Sequence, residues 1–142
     1  MNVRIKKLTD DAIIPSYANG FAAGCDLYSN VDTTIIPGET QKVNTGVAME
    51  IPTGYFGGLF ARSGLATKQG LRPANCVGVI DSDYRGEVIV AMHNDSAEPR
   101  TIRKGDRIAQ LVIMPYIMAE FDVVEELEET ARSTGGFGST GK

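Results

Sequence analysis

Glycine and proline punctuate this chain at short intervals, in Pro37-Gly38, Pro52-Thr53-Gly54 and Gly57-Gly58, and that spacing confines it to many short strands joined by turns. Between the breaks, polarity alternates with period two. In QKVNTGVAMEI, the side chains of Val43, Thr45, Val47, Met49 and Ile51 fall on one face of an extended segment, the pattern of a half-buried strand. GEVIVAMHN (86–94) and IAQLVIMP (108–115) are apolar on both faces. That is more than the outer layer of a small monomer should carry, so a subunit interface is expected to cover the second face. One internal segment reads as a helix, with Ser63 as cap, Leu65 to Gln69 as body and Gly70 as stop. The expectation is a mainly β sandwich or barrel with one short helix.

At 142 residues the chain can bury one core and divides poorly into two. Residues 1–125 are expected to form the β domain. Residues 126–142 are expected to be a flexible tail, because EELEETARSTGG opens on glutamates and runs into GGFGSTGK with little that could pack. No apolar run approaches the roughly 20 residues that span a bilayer. The segment MNVRIKKLTD turns polar where a secretory signal would hold its apolar core, so a cytoplasmic protein is expected, with no membrane partner. Without an export signal, the sequon Asn94-Asp95-Ser96 is set aside. A net charge of −4 argues against nucleic acid as a partner, since duplex binding needs a basic face. An anionic ligand would have to be met locally.

Two strings in the tail resemble phosphate loops: GFGSTG (136–141) fits GxGxxG, and GFGSTGK (136–142) fits most of a Walker loop. Each depends on a strand before the loop and a helix after it, whose N–H groups and dipole hold the phosphates. Neither context is expected around 136–142, where the string runs to Lys142, so neither phosphate-loop fold is expected. A Gly-rich backbone beside Arg132 can still wrap phosphates, and Phe137 amid glycines can stack on a base.

Residue inventory narrows the chemistry further. His93 lies in an expected strand, away from any nucleophile elbow, and reads as a satisfied strand histidine. Cys25 and Cys76 match no metal-ligand spacing and are expected to be reduced, packed thiols. A closed zinc site cannot be built from them. Magnesium asks for less protein, because substrate phosphates and water can supply most of its ligands. That leaves carboxylates activating water. Their densest cluster is Asp81-Ser82-Asp83-Tyr84-Arg85-Gly86, between an apolar approach and a strongly apolar strand. Taken alone, it is also the composition of a β-turn.

With those residues in view, the sequence resembles the trimeric dUTPase family, deoxyuridine 5′-triphosphate nucleotidohydrolases, whose five motifs appear in order: AGCDLYS (23–29), ARSGLATKQG (61–70), NCVGVIDSDYRGEV (75–88), GDRIAQLV (105–112) and RSTGGFGSTG (132–141). Ala61 stands where the family often has Pro, and Gln69 where His is common. The resemblance implies a jelly-roll-like β fold of the β-clip type and a homotrimer whose active sites are shared between chains. It implies Mg2+-dependent hydrolysis of dUTP to dUMP and pyrophosphate, lowering dUTP and supplying dUMP for dTMP synthesis.

Residue by residue, the resemblance makes Asp81 the general base that deprotonates the attacking water. Tyr84 is matched to the ring under the deoxyribose, leaving no room for a 2′-hydroxyl. Asn75 and the backbone of 76–80, including Gly78, Val79 and Ile80, are matched to a hairpin that reads uracil. Ser63 and Gly64 match phosphate contacts at the start of the short helix, while Arg62 and Arg132 match cations for the triphosphate, Arg132 at the γ-phosphate. Gln110 matches a polar contact to phosphate or metal-bound water. Asp26 matches an acid acting on the metal through water. Phe137, with Gly138 and Ser139, matches the lid that closes over bound substrate.

Two other readings share these features. A dCTP deaminase-like enzyme has the same architecture but lacks the pairing of Asp81 with Tyr84. A non-catalytic nucleotide-binding or regulatory relative should have lost motif residues, and none is missing.

Overall fold

The computed structural model describes residues 1–136. Its elements are β1 (Arg4–Lys7), β2 (Ser16–Tyr17), β3 (Cys25–Tyr28), β4 (Thr33–Ile35), β5 (Thr40–Glu50), β6 (Tyr55–Phe60), α1 (Ser63–Gln69), β7 (Leu71–Pro73), β8 (Gly78–Ile80), β9 (Glu87–Asn94), β10 (Arg100–Ile102) and β11 (Arg107–Pro115). Every strand pairing is antiparallel. Four strands form one sheet in the order β1-β5-β9-β7 and five form a second, β2-β3-β11-β6-β8; β4 and β10 make a small third. The result is a jelly-roll-like arrangement of packed sheets in which no sheet closes into a barrel. The core draws on all three, with Val43, Val90 and Met92 from the first, Leu27, Leu59 and Leu111 from the second, and Ile35 and Ile102 from the third.

The alternation expected on 43–51 is present: Val43, Thr45, Val47, Met49 and Ile51 are all buried. β5 is nevertheless irregular. Between the pairs Asn44↔Ile89 and Ala48↔Glu87, β5 advances four residues while β9 advances two, and Gly46 occupies the resulting bulge at φ +71°. Gly38 and Gly54 take positive φ at the turns expected of them. Gly57-Gly58, read from sequence as a break, instead lies inside β6. A Cβ at 57 would come within 2.9 Å of both Ile51 and Leu111, so that pair marks close packing rather than a turn.

Gly70 ends the helix in the left-handed conformation, as expected, but Ser63 does not cap it. The cap position falls to Arg62, whose side chain makes no capping bond because it is drawn away to Asp26 and to the Arg107 carbonyl. Both cysteines are free; Cys25 is buried, whereas Cys76 is exposed because it sits on a loop that projects between sheets. Burial pushes the Cys25 thiol pKa up. Asn94 is fully buried, its amide donating to the Ile35 and Glu98 carbonyls, so the sequon is inaccessible on structural grounds as well. Among the described residues, no helix is long and apolar enough to cross a membrane.

Candidate active site

The chain changes sheets twice in quick succession around β8. β7 pairs with β9 in the four-stranded sheet, β8 pairs with β6 in the five-stranded sheet, and the chain then returns to β9. Residues 74–77 and 81–86 are the two crossings. The first is therefore not the hairpin expected from sequence, because β7 and β8 do not pair with each other. Between the crossings opens a pocket of about 250 Å³, and Asn75, Gly78, Val79, Ile80, Asp81 and Tyr84 all line it, joined by Glu87 to Ala91 along β9.

Each wall has an identifiable support. Arg72 steadies the first crossing by donating from Nη1 to the carbonyls of Pro73 (3.1 Å) and Ala74 (3.3 Å). Its fork is held in turn by Asp95, whose carboxyl pKa the Arg72 hydrogen bond lowers. His93 is satisfied between Thr40 (2.9 Å from Nδ1) and Asp95 (3.3 Å from Nε2), as a strand histidine should be. In the second crossing, the Tyr84 amide donates to the Asp81 carbonyl (3.2 Å), and the Tyr84 hydroxyl donates to the Glu87 carbonyl (2.9 Å). The ring lies over Gly86, where a Cβ would be 2.6 Å from Tyr84 Cζ. Asp81 is exposed at the rim. Neither of its carboxylate oxygens has a hydrogen-bond partner among the described residues, so both remain available to a ligand or a water.

A second group of expected site residues gathers elsewhere. Asp26, on β3, is largely shielded, with its side chain 17% exposed. Its Oδ1 accepts from Arg62 Nε (3.0 Å) and its Oδ2 from Arg107 Nη1 (3.2 Å), while Arg62 Nη1 donates to the Arg107 carbonyl (3.1 Å). This three-residue ring fixes the Arg62 guanidinium just before α1. Gln110, on β11, donates to the Ala61 carbonyl (2.9 Å), bracing the same turn. Ser63 and Gly64 begin the helix, and a Cβ at 64 would meet nothing within 4 Å, which leaves the turn open to a ligand. None of Asp26, Arg62, Ser63, Gly64 or Gln110 lines the Asp81 pocket. Arg132 is exposed within a turn closed by its carbonyl and the Gly135 amide. Phe137, Gly138 and Ser139 lie outside the described residues.

Gly86, Glu87 and Arg107 lie within the sequence motifs, yet their parts in the site are visible only in the fold. The signals for all three are long-range contacts or close approaches that a linear reading does not contain. Among the described residues, no three His, Cys, Asp or Glu side chains converge as a metal cage.

The dUTPase family model matches residues 10–141. A deoxyuridine 5′-triphosphate nucleotidohydrolase from Nautilia profundicola is 51% identical over the whole length of both chains. One from Desulfitobacterium hafniense is 53% identical, covering 90% of this chain and 87% of its own. Among solved structures, a Staphylococcus bacteriophage 80alpha dUTPase with dUPNHPP superposes with a TM-score of 0.88 at 31% identity, covering 99% of each chain. A variant dUTPase from phage phi11 of S. aureus, described as coordinating a structural Mg(II) ion, superposes with a TM-score of 0.81 at 28% identity, covering 91% of this chain and 100% of its own.

Proposed function

The chain belongs to the dUTPase family, and on that premise we propose that it hydrolyses dUTP to dUMP and pyrophosphate by attack of water on the α-phosphorus, in the cytoplasm. The observation that carries this mechanism is the Asp81 carboxylate, unpartnered among the described residues, at the rim of a pocket lined by Gly78, Val79, Ile80 and Tyr84. A carboxylate so placed can hold and deprotonate a water. Main-chain donors and acceptors at 76–80, with the Asn75 amide, suit the O4 and N3–H of uracil and oppose the reversed pattern of cytosine. Tyr84, pinned by its hydroxyl, sets the floor under the sugar and leaves a 2′-hydroxyl both crowded and desolvated.

Phosphate contacts come from Arg62, Ser63, Gly64 and Gln110, with Arg132 reaching the γ-phosphate through its planar fork. Phe137, Gly138 and Ser139 close over the substrate as a lid carried by residues 126–142, following a β domain at 1–125. The absence of the proposed phosphate-binding group from the Asp81 pocket of its own chain supports a site completed by a neighbouring subunit. A homotrimer with shared sites provides that neighbour. It also covers the apolar stretch after β11, where Ile117, Phe121 and Val123 are 94%, 91% and 101% exposed in the single chain.

The donor set suits magnesium held mainly by substrate phosphates. Among the described residues there is no protein cage, and Asp26, already engaged by two arginines, has only its remaining lone pairs to offer to metal-bound water. When bound, the ion neutralises charge on the phosphate oxygens. Pyrophosphate release from dUTP, UTP, dCTP and dTTP, with and without magnesium, tests the reading: turnover confined to dUTP and stimulated by magnesium is expected. Asp81→Ala should abolish release while dUPNHPP still binds, and substantial turnover by that variant would overturn the mechanism.

A further inference from the structure

Glu87 occupies the first position of β9, directly after the second crossing, and each of its two polar ends is committed. Its carboxylate spans the β5 bulge: Oε1 accepts the Gly46 amide at 2.7 Å and Oε2 accepts the Asn44 side-chain amide at 2.6 Å. Its main-chain carbonyl accepts the Tyr84 hydroxyl at 2.9 Å. The tyrosine at the pocket floor is thus tied, through Glu87, to a bulge that lies 41 positions before Glu87 in sequence. Both side-chain bonds are charge-assisted, which makes them roughly twice as strong as neutral ones. The bulge amide, displaced from the strand ladder, has no strand partner to return to.

We propose that the Glu87 carboxylate is a positioning residue for sugar selection, holding the carbonyl that orients Tyr84 and thereby setting how strongly the enzyme distinguishes a deoxyribonucleotide from a ribonucleotide. The inference rests on the reading of Tyr84 as the floor beneath the sugar. Without the carboxylate, the 84–87 turn keeps its internal hydrogen bond and the ladder pairing of residue 87 with Ala48, but loses both side-chain bonds that fix it to the β5 bulge. The ring then shifts as a unit with the turn, and the space denied to a 2′-hydroxyl opens.

The test is the ratio of kcat/KM for dUTP to that for UTP, a quantity that a loss of stability alone does not move. Glu87→Ala should lower the ratio about tenfold, since small displacements at a remote support are amplified at the reacting site. Glu87→Gln should keep it within about threefold, because its oxygen still accepts the Gly46 amide and an inverted Asn44 amide can meet its nitrogen, though by weaker neutral bonds. If Glu87→Ala fails to fold, Asn44→Ala removes half of the anchor from outside the turn and should shift the ratio in the same direction. A folded Glu87→Ala or Asn44→Ala variant with the parent ratio overturns the inference. Tyr84→Ala separates the two layers. If it loses the ratio while the Glu87 variants keep it, Glu87 alone has been misassigned; if it keeps the ratio, the sugar reading of Tyr84 fails and the inference falls with it.

Discussion

A glycine before Glu87 lets an aromatic ring lie flat on backbone. At Gly86, a methyl group would stand 2.6 Å from Tyr84 Cζ, and the nearest atoms belong to the far end of an exposed side chain, which can move at the cost of little more than its hydroxyl bond to the Glu87 carbonyl. Gly86→Ala is therefore expected to leave urea denaturation nearly unchanged, by less than about 1 kcal/mol, while reducing kcat/KM for dUTP by about tenfold or more as the ring is displaced. The two thiols make a second contrast at this scale. Cys25 is buried and its pKa is raised by that burial, so the reactive thiolate is scarce and unreachable; Cys76 is exposed. Alkylation of the native protein should label Cys76 alone, with Cys25 reacting only in denaturant. Mass spectrometry of the labelled peptides decides the point. Composition correctly marked both as unpaired, but the exposure of Cys76 depends on where the chain leaves its sheet, which spacing does not encode.

Strand β5 separates what a linear pattern can and cannot carry. Its core face was legible because every second residue from Val43 to Met49 is buried, although Gly46 and Ala48 between them are buried too. The bulge was invisible for the same reason: β5 gains two residues over β9, an even number, so side chains return to phase beyond it. Only the positive φ of Gly46 records it. An alanine there meets Ala12 Cβ at 2.7 Å and the Asn30 amide at 2.8 Å. It also adopts a disfavoured backbone, and Gly46→Ala should destabilise the fold by about 2–4 kcal/mol, from backbone strain and overpacking combined. A fall in the urea midpoint at constant m-value is the expected signature. The helix illustrates the opposite limit. Its stop at Gly70 was readable locally, whereas the cap was not, since Arg62 is recruited by Asp26 from a strand far away in sequence. Asp81, expected as the base, and Tyr84, expected beneath the sugar, were legible as a motif, and both line one pocket. What holds the pocket walls is tertiary: Arg72 is fixed by Asp95 and Glu87 by the β5 bulge.

For the assembled molecule, sedimentation should give three times the 15.2 kDa chain mass, and removing residues 116–142 should lower that mass by dissociating the subunits. Removing 132–142 alone should keep the assembly and cut turnover sharply. The double crossing around β8 carries a further implication. Three residues, Gly78 to Ile80, are stitched to one sheet, while the segments on either side return to the other. The distance between the two sheets is therefore also the gauge of the pocket, like the opening of a calliper. On the proposed reading of the site, relative sliding of the layers would move the backbone of 78–80 and the Asp81 carboxylate in a single stroke, so that accuracy and speed would rise and fall on one mechanical coordinate.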